Sequence, residues 1–326
     1  MRTDFPSRLF AVTKDDFARL AIEVFHFQYQ HNTLYKAYVD TLGVLPQQVS
    51  TPRQIPFLPI DFFKNFQVMT GSFTPEIVFE SSGTTQTIPS LHLVKDLSIY
   101  KMSFLNGFEL FYGPIKEWCI IGLLPSYLER KGSSLVFMAD ELIRLSQHPL
   151  SGFYLNDFES LSGNLAQLEA DGQKTMLIGV SFALLDFASQ FPMRLKHVLI
   201  METGGMKGKH REMTRGELHA TLKEQFGLSR IHSEYGMTEL LSQAYSIGDG
   251  IFTPAPWMRI LLRKEDDPMD VNEEGEGIIN IIDLANIYSC AFIASEDVGK
   301  LAKDGSFEIA GRVDHADLRG CSLLVF

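Results

Sequence analysis

Cysteine is scarce in this chain. Cys119, Cys290 and Cys321 are spread over 326 positions, too few and too scattered for a disulfide framework or a zinc site. Such usage fits a reducing compartment. Basic clusters are equally sparse. Beyond Lys207-Gly208-Lys209-His210-Arg211 no Lys/Arg group stands out, and the formal net charge is −11 with a pI near 5.3. A nucleic-acid binder normally shows a basic face, so no nucleic-acid partner is expected, although the small cluster would suit a compact anion. No apolar run reaches the ~20 residues of a membrane-spanning helix. Met1-Arg2-Thr3-Asp4-Phe5-Pro6 lacks the apolar centre of a signal peptide. The class left is a soluble, cytoplasmic protein with no membrane span.

Apolar material is plentiful. With 45% hydrophobic residues and 25 Phe, the chain can bury a large core, and its length suits one large or two modest domains. Thr13 followed by Asp16 has the form of a helix cap, with Phe17, Leu20, Ala21, Val24 and Phe25 at helical spacing. A second helix is predicted over Leu34–Leu42, closed by Gly43. Ile55 to Phe63 is Pro-punctuated and aromatic, suited to core packing or to lining an apolar pocket.

Further on, continuous apolar runs at 118–124, 175–180 and 196–201 alternate with helical patterns at 96–108, 133–145, 157–168 and 182–191. Thr214-Arg215-Gly216-Glu217 is a capping box, and its helix stops at Gly227. Fully apolar strands alternating with helices imply an α/β fold whose sheet is mostly parallel and flanked by helices. From Pro254 the texture changes to short strands around an acidic turn. The expected organisation is a large α/β domain over 1–250, with 1–75 as its helical entry, a smaller β-rich subdomain over 251–314, and a tail over 315–326.

Glu80-Ser81-Ser82-Gly83-Thr84-Thr85-Gln86 follows an apolar run and presents hydroxyls and backbone N–H groups on one short loop. It is either a phosphate cradle or an ordinary polar turn. Thr203-Gly204-Gly205-Met206-Lys207 follows a strand; its glycines allow close backbone approach to a flat ring, and Lys207 adds charge. His232-Ser233-Glu234-Tyr235-Gly236-Met237-Thr238-Glu239 ends a strand in an aromatic, a glycine, a hydroxyl and a carboxylate. Tyr235 could stack on a purine, Thr238 hold a phosphate and Glu239 ligate Mg²⁺; alternatively Thr238 caps a following helix. Asp297 is suited to ribose hydroxyls or to a salt bridge. Gly311-Arg312-Val313-Asp314 is a weak signal alone.

In this order and combination, the motifs resemble the adenylate-forming acyl-activating superfamily over about Glu80 to Asp314. The resemblance implies ATP phosphates at Ser81, Ser82, Gly83, Thr84 and Thr85, and nucleotide contacts at Gly204, Gly205, Tyr235, Gly236 and Met237. It implies Thr238 at the α-phosphate, Glu239 on Mg²⁺, Asp297 and Arg312 on ribose and phosphate, and Asp314 at a hinge. ATP and Mg²⁺ are thus the implied cofactors.

Two departures stand out. Where the family's loop continues into Pro-Lys-Gly, this chain has Gln86-Thr87-Ile88-Pro89-Ser90. The family's mobile C-terminal lid domain, with its catalytic lysine, is expected to be absent, leaving Lys207 or Lys209 and Arg211 as stand-ins.

Arg319-Gly320-Cys321 is similar to the C-terminus of LuxE-type acyl-protein synthetases. Those enzymes activate a fatty acid with ATP and carry the acyl group on a cysteine. The resemblance implies Cys321 as nucleophile, a fatty or other carboxylic acid substrate, and an acyl-reductase partner. Cys119 and Cys290 read as core. The alternatives are a carboxylate–CoA ligase similar to phenylacetate–CoA ligases, or a non-catalytic nucleotide-binding scaffold.

Overall fold

The computed structural model describes residues 5–81, 88–125, 132–204 and 213–313. Three helices open it, α1 (Phe5–Phe10), α2 (Lys14–His31) and α3 (Thr33–Thr41). The Thr13 hydroxyl accepts the Asp16 N–H at the start of α2, and the left-handed Gly43 (φ 68°) follows α3. Strand β1 (Leu58–Pro59) and the single-turn α4 (Phe62–Asn65) come next. Then β2 (Ile77–Glu80) and β3 (Leu91–Val94) pair antiparallel as a separate two-stranded sheet.

The alternating region holds α5 (Leu97–Tyr112), β4 (Cys119–Leu123), α6 (Ser134–Ser146), β5 (Gly152–Phe153), α7 (Phe158–Ala170), β6 (Thr175–Gly179), α8 (Ser181–Gln190), β7 (Val198–Glu202), α9 (Arg215–Phe226) and β8 (His232–Tyr235). Short polar caps start these helices. The side chains of Asp96, Ser133, Asp157 and Thr214 each accept a first-turn N–H, satisfying donors a helix leaves orphaned. The Thr214–Glu217 capping box is complete, and Gly227 closes α9 at φ 66°.

Strands β5, β4, β6, β7 and β8 lie side by side and parallel. Their apolar runs are continuous because both faces are covered. Ile120, Met176, Ile178 and Met201 enter one core with α2, α5 and α6; Cys119, Ile121, Leu177 and Ile200 enter a second with α7, α8 and α9. Cys119 and Cys290 are buried and free.

The remaining strands run antiparallel: β9 (Ala244–Ser246), β10 (Ile251–Pro254), β11 (Met258–Arg263), β12 (Val271–Asn272), β13 (Gly275–Asp283), β14 (Phe292–Leu301) and β15 (Phe307–Arg312). They continue the same sheet in the order β12-β11-β13-β14-β15-β10-β9-β8-β7-β6-β4-β5, and β1 joins the far side of β14 in parallel. The sheet is therefore mixed, a parallel half and an antiparallel half, rather than mostly parallel. The switch occurs at β8–β9, because only a short turn separates them and such a turn permits only antiparallel return. Strand β14 also extends through Ser295-Glu296-Asp297, well past the apolar run.

Candidate functional site

Ligands of open α/β sheets gather at the carboxyl ends of parallel strands. Here the ends of β7 and β8 bring forward Glu202-Thr203-Gly204 and Tyr235-Gly236. Gly204 adopts a left-handed φ of 71°, and as alanine its Cβ would meet nothing within 4 Å among the described residues. Its N–H donates to Glu202 Oε1 at 2.8 Å. Gly236 is needed for space: a Cβ there would strike the Glu234 carboxylate. Glu234 is half-buried, and burial together with the Glu202 charge pushes its carboxyl up to about 8.

Tyr235 is 8% exposed, with its ring edge-on to Phe252 and Phe307. Its hydroxyl donates to Asp297 Oδ2 at 2.8 Å, and Arg312 Nε donates to Asp297 Oδ1 at 2.9 Å. The carboxylate of Asp297 thus binds Tyr235 and Arg312, joining β8, β14 and β15. The Arg312 side chain stays 63% exposed, which leaves guanidinium N–H groups able to meet an anion. Met237 packs against the core, and Leu240 N–H donates to Met237 O at 3.1 Å. Thr238 lies in this turn, which leads to β9, so Thr238 caps no helix.

The hairpin β2–β3 reaches the same place. Ser81 and Ser90 close its open end: Ser81 N–H donates to Ser90 O at 3.1 Å, and Ser90 N–H to Ser81 Oγ at 2.9 Å. The Ser90 side chain also faces the Glu239 carboxylate and draws its pKa down. Two residues on, His92 Nδ1 lies 2.8 Å from Thr238 O. A carbonyl only accepts, so Nδ1 carries the hydrogen and Nε2 is a bare lone pair. Among the described residues, that Nε2 is buried without a partner. Burial lowers the His92 pKa to about 4, with the Thr238 carbonyl working against the drop, and the ring stays neutral.

Glu239 is 5% exposed. Burial raises its carboxyl pKa, while Ser90, its own N–H, Arg312 and Lys64 pull the other way. Lys64, paired with Asp61 at 2.6 Å, also feels Glu296. Its place follows from β1: Leu58 and Pro59 pair with Ile293 and Ala294, and Ile60 N–H donates to Ala294 O at 3.0 Å.

Ser81, Gly204, Tyr235, Gly236, Met237, Thr238, Glu239, Asp297 and Arg312 are therefore linked into one region through these contacts or shared turns. Ser82, Gly83, Thr84, Thr85, Gly205, Lys207, Asp314 and Cys321 lie outside the described residues. Sequence reasoning passed over Glu202, His92, Ser90 and Lys64. None stands in a recognisable motif, and each also has a partner distant in the chain, Ser233 for Glu202, Thr238 for His92 and Glu239 for Ser90 and Lys64.

No protein-family model matches the chain, and no curated protein matches it in sequence. Solved structures do match in fold. A 2-hydroxyisobutyryl-CoA ligase in a postadenylation state, complexed with R3-HIB-AMP, aligns at TM-score 0.65 and 12% identity, over 96% of this chain and 72% of that one. The same ligase with 2-HIB-AMP and CoA aligns at 0.65 and 14%, over 95% and 71%. ATP-bound MatB from Rhodopseudomonas palustris aligns at 0.55 and 15%, over 74% of this chain and 49% of its own. The chain thus spans about half the length of MatB. Its mixed α/β fold is similar to that of the 2-hydroxyisobutyryl-CoA ligase.

Proposed function

We propose that the protein activates a carboxylic acid with ATP. A carboxylate oxygen attacks the α-phosphorus, the bond to the β-phosphate bridging oxygen breaks, and acyl-AMP and pyrophosphate form. The observation that supports this reading most is the joining of Tyr235, Asp297 and Arg312 at 2.8 and 2.9 Å, beside the Gly204 turn and the closed end of the β2–β3 hairpin. Arg312 offers exposed donors to phosphate or ribose oxygens, and Gly204 leaves room for a flat ring. In this role Tyr235 acts from beneath, through Asp297 and the aromatic floor of Phe252 and Phe307, rather than by offering an open ring face.

Among the described residues no three His, Cys, Asp or Glu side chains converge on a metal position. Glu239 is therefore suited to Mg²⁺ only together with nucleotide phosphates, the usual way Mg²⁺ is held. When bound, the ion would neutralise charge on the departing pyrophosphate.

In the second step the Cys321 thiolate attacks the acyl carbon, AMP leaves with the bonding pair, and a thioester remains for an acyl-reductase or another acceptor. A fatty acid is the substrate class this reading favours. The alternative acceptor is free coenzyme A, favoured by the fold likeness to a CoA ligase. Incubation with ATP, Mg²⁺ and labelled carboxylic acids, with and without coenzyme A, followed by mass spectrometry, tests both. Label on Cys321, lost in Cys321→Ser, supports the protein thioester. Acyl-CoA formed equally by Cys321→Ser supports the alternative, and no acid-dependent pyrophosphate exchange refutes both.

A further inference from the structure

Glu202 ends β7 and is 3% exposed. Its Oε1 accepts the Gly204 N–H at 2.8 Å and the Ser181 hydroxyl at 3.3 Å. Its Oε2 accepts the Ser233 hydroxyl at 2.9 Å and lies 3.5 Å from His219 Nε2 and 3.7 Å from Arg215 Nε. Ser181, Ser233 and His219 are themselves buried, and His219 Nε2 lies 3.3 Å from Ser233 Oγ. Burial by itself would raise the carboxyl pKa; His219, Arg215, Ser233 and the Gly204 N–H outweigh it and hold the group below its ordinary value. The chain therefore keeps a charge inside the fold.

A buried charge is a poor way to gain stability, since well-packed apolar side chains usually do as well. What a carboxylate does that an apolar residue does not is fix several donors in direction. The donors here come from α8, α9, β8 and the turn after β7. The hydrogen bond to Gly204 holds the turn in its left-handed form, and the bond to Ser233 ties that turn to β8, two residues before Tyr235.

We propose that Glu202 is a positioning residue that locks the Gly204 turn to β8 and so sets the gap in which the nucleotide base and ribose are gripped. This rests on the nucleotide-site reading above. Glu202 touches no substrate; it acts through Gly204 N–H and Ser233. The Gln side chain keeps an acceptor for Gly204, whereas Ala keeps none.

The test is acid-dependent pyrophosphate exchange by the full chain and by Glu202→Ala, Glu202→Gln and Ser233→Ala, with amide hydrogen exchange at Gly204 alongside. Glu202→Ala is expected to raise the KM for ATP about tenfold with kcat within about twofold and the KM for the acid unchanged. Its Gly204 amide should exchange about tenfold faster, and Glu202→Gln should recover most of both effects. Ser233→Ala, which cuts the tie to β8 but leaves the Glu202–Gly204 hydrogen bond in place, should raise the KM for ATP by a smaller factor and leave Gly204 protected.

Loss of kcat in proportion to folded protein, with an unchanged KM for ATP, is the signature of a merely structural role and overturns the proposal. Should Glu202→Ala not fold, an unchanged KM for ATP in Ser233→Ala overturns it equally. If the parent protein shows no exchange at all, the nucleotide-site reading falls. Gly204 protection that is the same in parent and variants would then separately remove the turn-locking claim.

Discussion

Titrating His92→Asn beside the parent protein from about pH 7.5 to pH 4 probes the join between the β2–β3 hairpin and the turn at Thr238. The His92 ring is fully buried, edge-on to Phe63 at a centroid distance of 5.8 Å. Protonation would place a charge and a second N–H, on the unpartnered Nε2, in an apolar setting. The folded pKa is therefore depressed to about 4 from 6.5.

The sign follows from linkage. Below about pH 6.5 the unfolded chain takes up a proton that the folded chain refuses until about pH 4. Stability from the neutral ring is whole above about pH 6.5 and drains as pH falls toward 4. A shift of that size corresponds to about 3 kcal/mol. Glu234 and Asp283, raised to about 8 and about 6, act in the opposite sense, and His232, lowered to about 4, acts in the same sense.

The parent curve alone mixes all of these, so the readout is the parent-minus-variant difference in urea unfolding, followed by fluorescence of the buried Trp118 and Trp257. Asparagine can still donate to Thr238 O. The difference is expected to shrink by about 3 kcal/mol between pH 7 and pH 4. A difference constant to within about 0.5 kcal/mol, the usual spread of a neutral surface change, would refute the assignment of a neutral His92 ring bound only through Nδ1.

Tyr235→Phe removes the 2.8 Å hydrogen bond to Asp297, leaving Arg312 as a charged partner; a loss of about 1.5–3 kcal/mol in chemical denaturation is expected. Thr214→Ala breaks the capping box of α9 and is expected to cost about 1 kcal/mol, read as a lower urea midpoint at an unchanged slope. Glu239→Gln keeps the shape of a buried side chain but removes its charge. Acid-dependent pyrophosphate exchange is expected to fall about a hundredfold while thermal stability holds, and unchanged exchange would exclude Glu239 from the metal position.

Local rules carried the helices and the parallel strands. Thr13, Asp96, Ser133, Asp157 and Thr214 are short polar side chains whose own oxygens reach first-turn N–H groups. Gly43 and Gly227 take a φ that other residues resist. The runs at 119–123, 176–178 and 198–201 are apolar because helices cover both faces of the sheet. All of this is decided within a few residues of chain, so the sequence alone determines it.

Strands β9 and β10 were not legible in this way. Ala244-Tyr245-Ser246 has no long apolar run, and it pairs because β8 and β10 offer edges on either side. The polar stretch Ser295-Glu296-Asp297 is strand for a similar reason, held between β13 and β15. Likewise, Ser81, Tyr235, Glu239 and Asp297 were recognisable as residue types suited to a nucleotide, but a motif specifies atoms without directions. Only the tertiary structure turned Tyr235 toward Asp297, set His92 beneath Thr238 and brought Lys64 near Glu239. Those contacts join residues tens to hundreds of positions apart, and they form only when the whole sheet has closed around them.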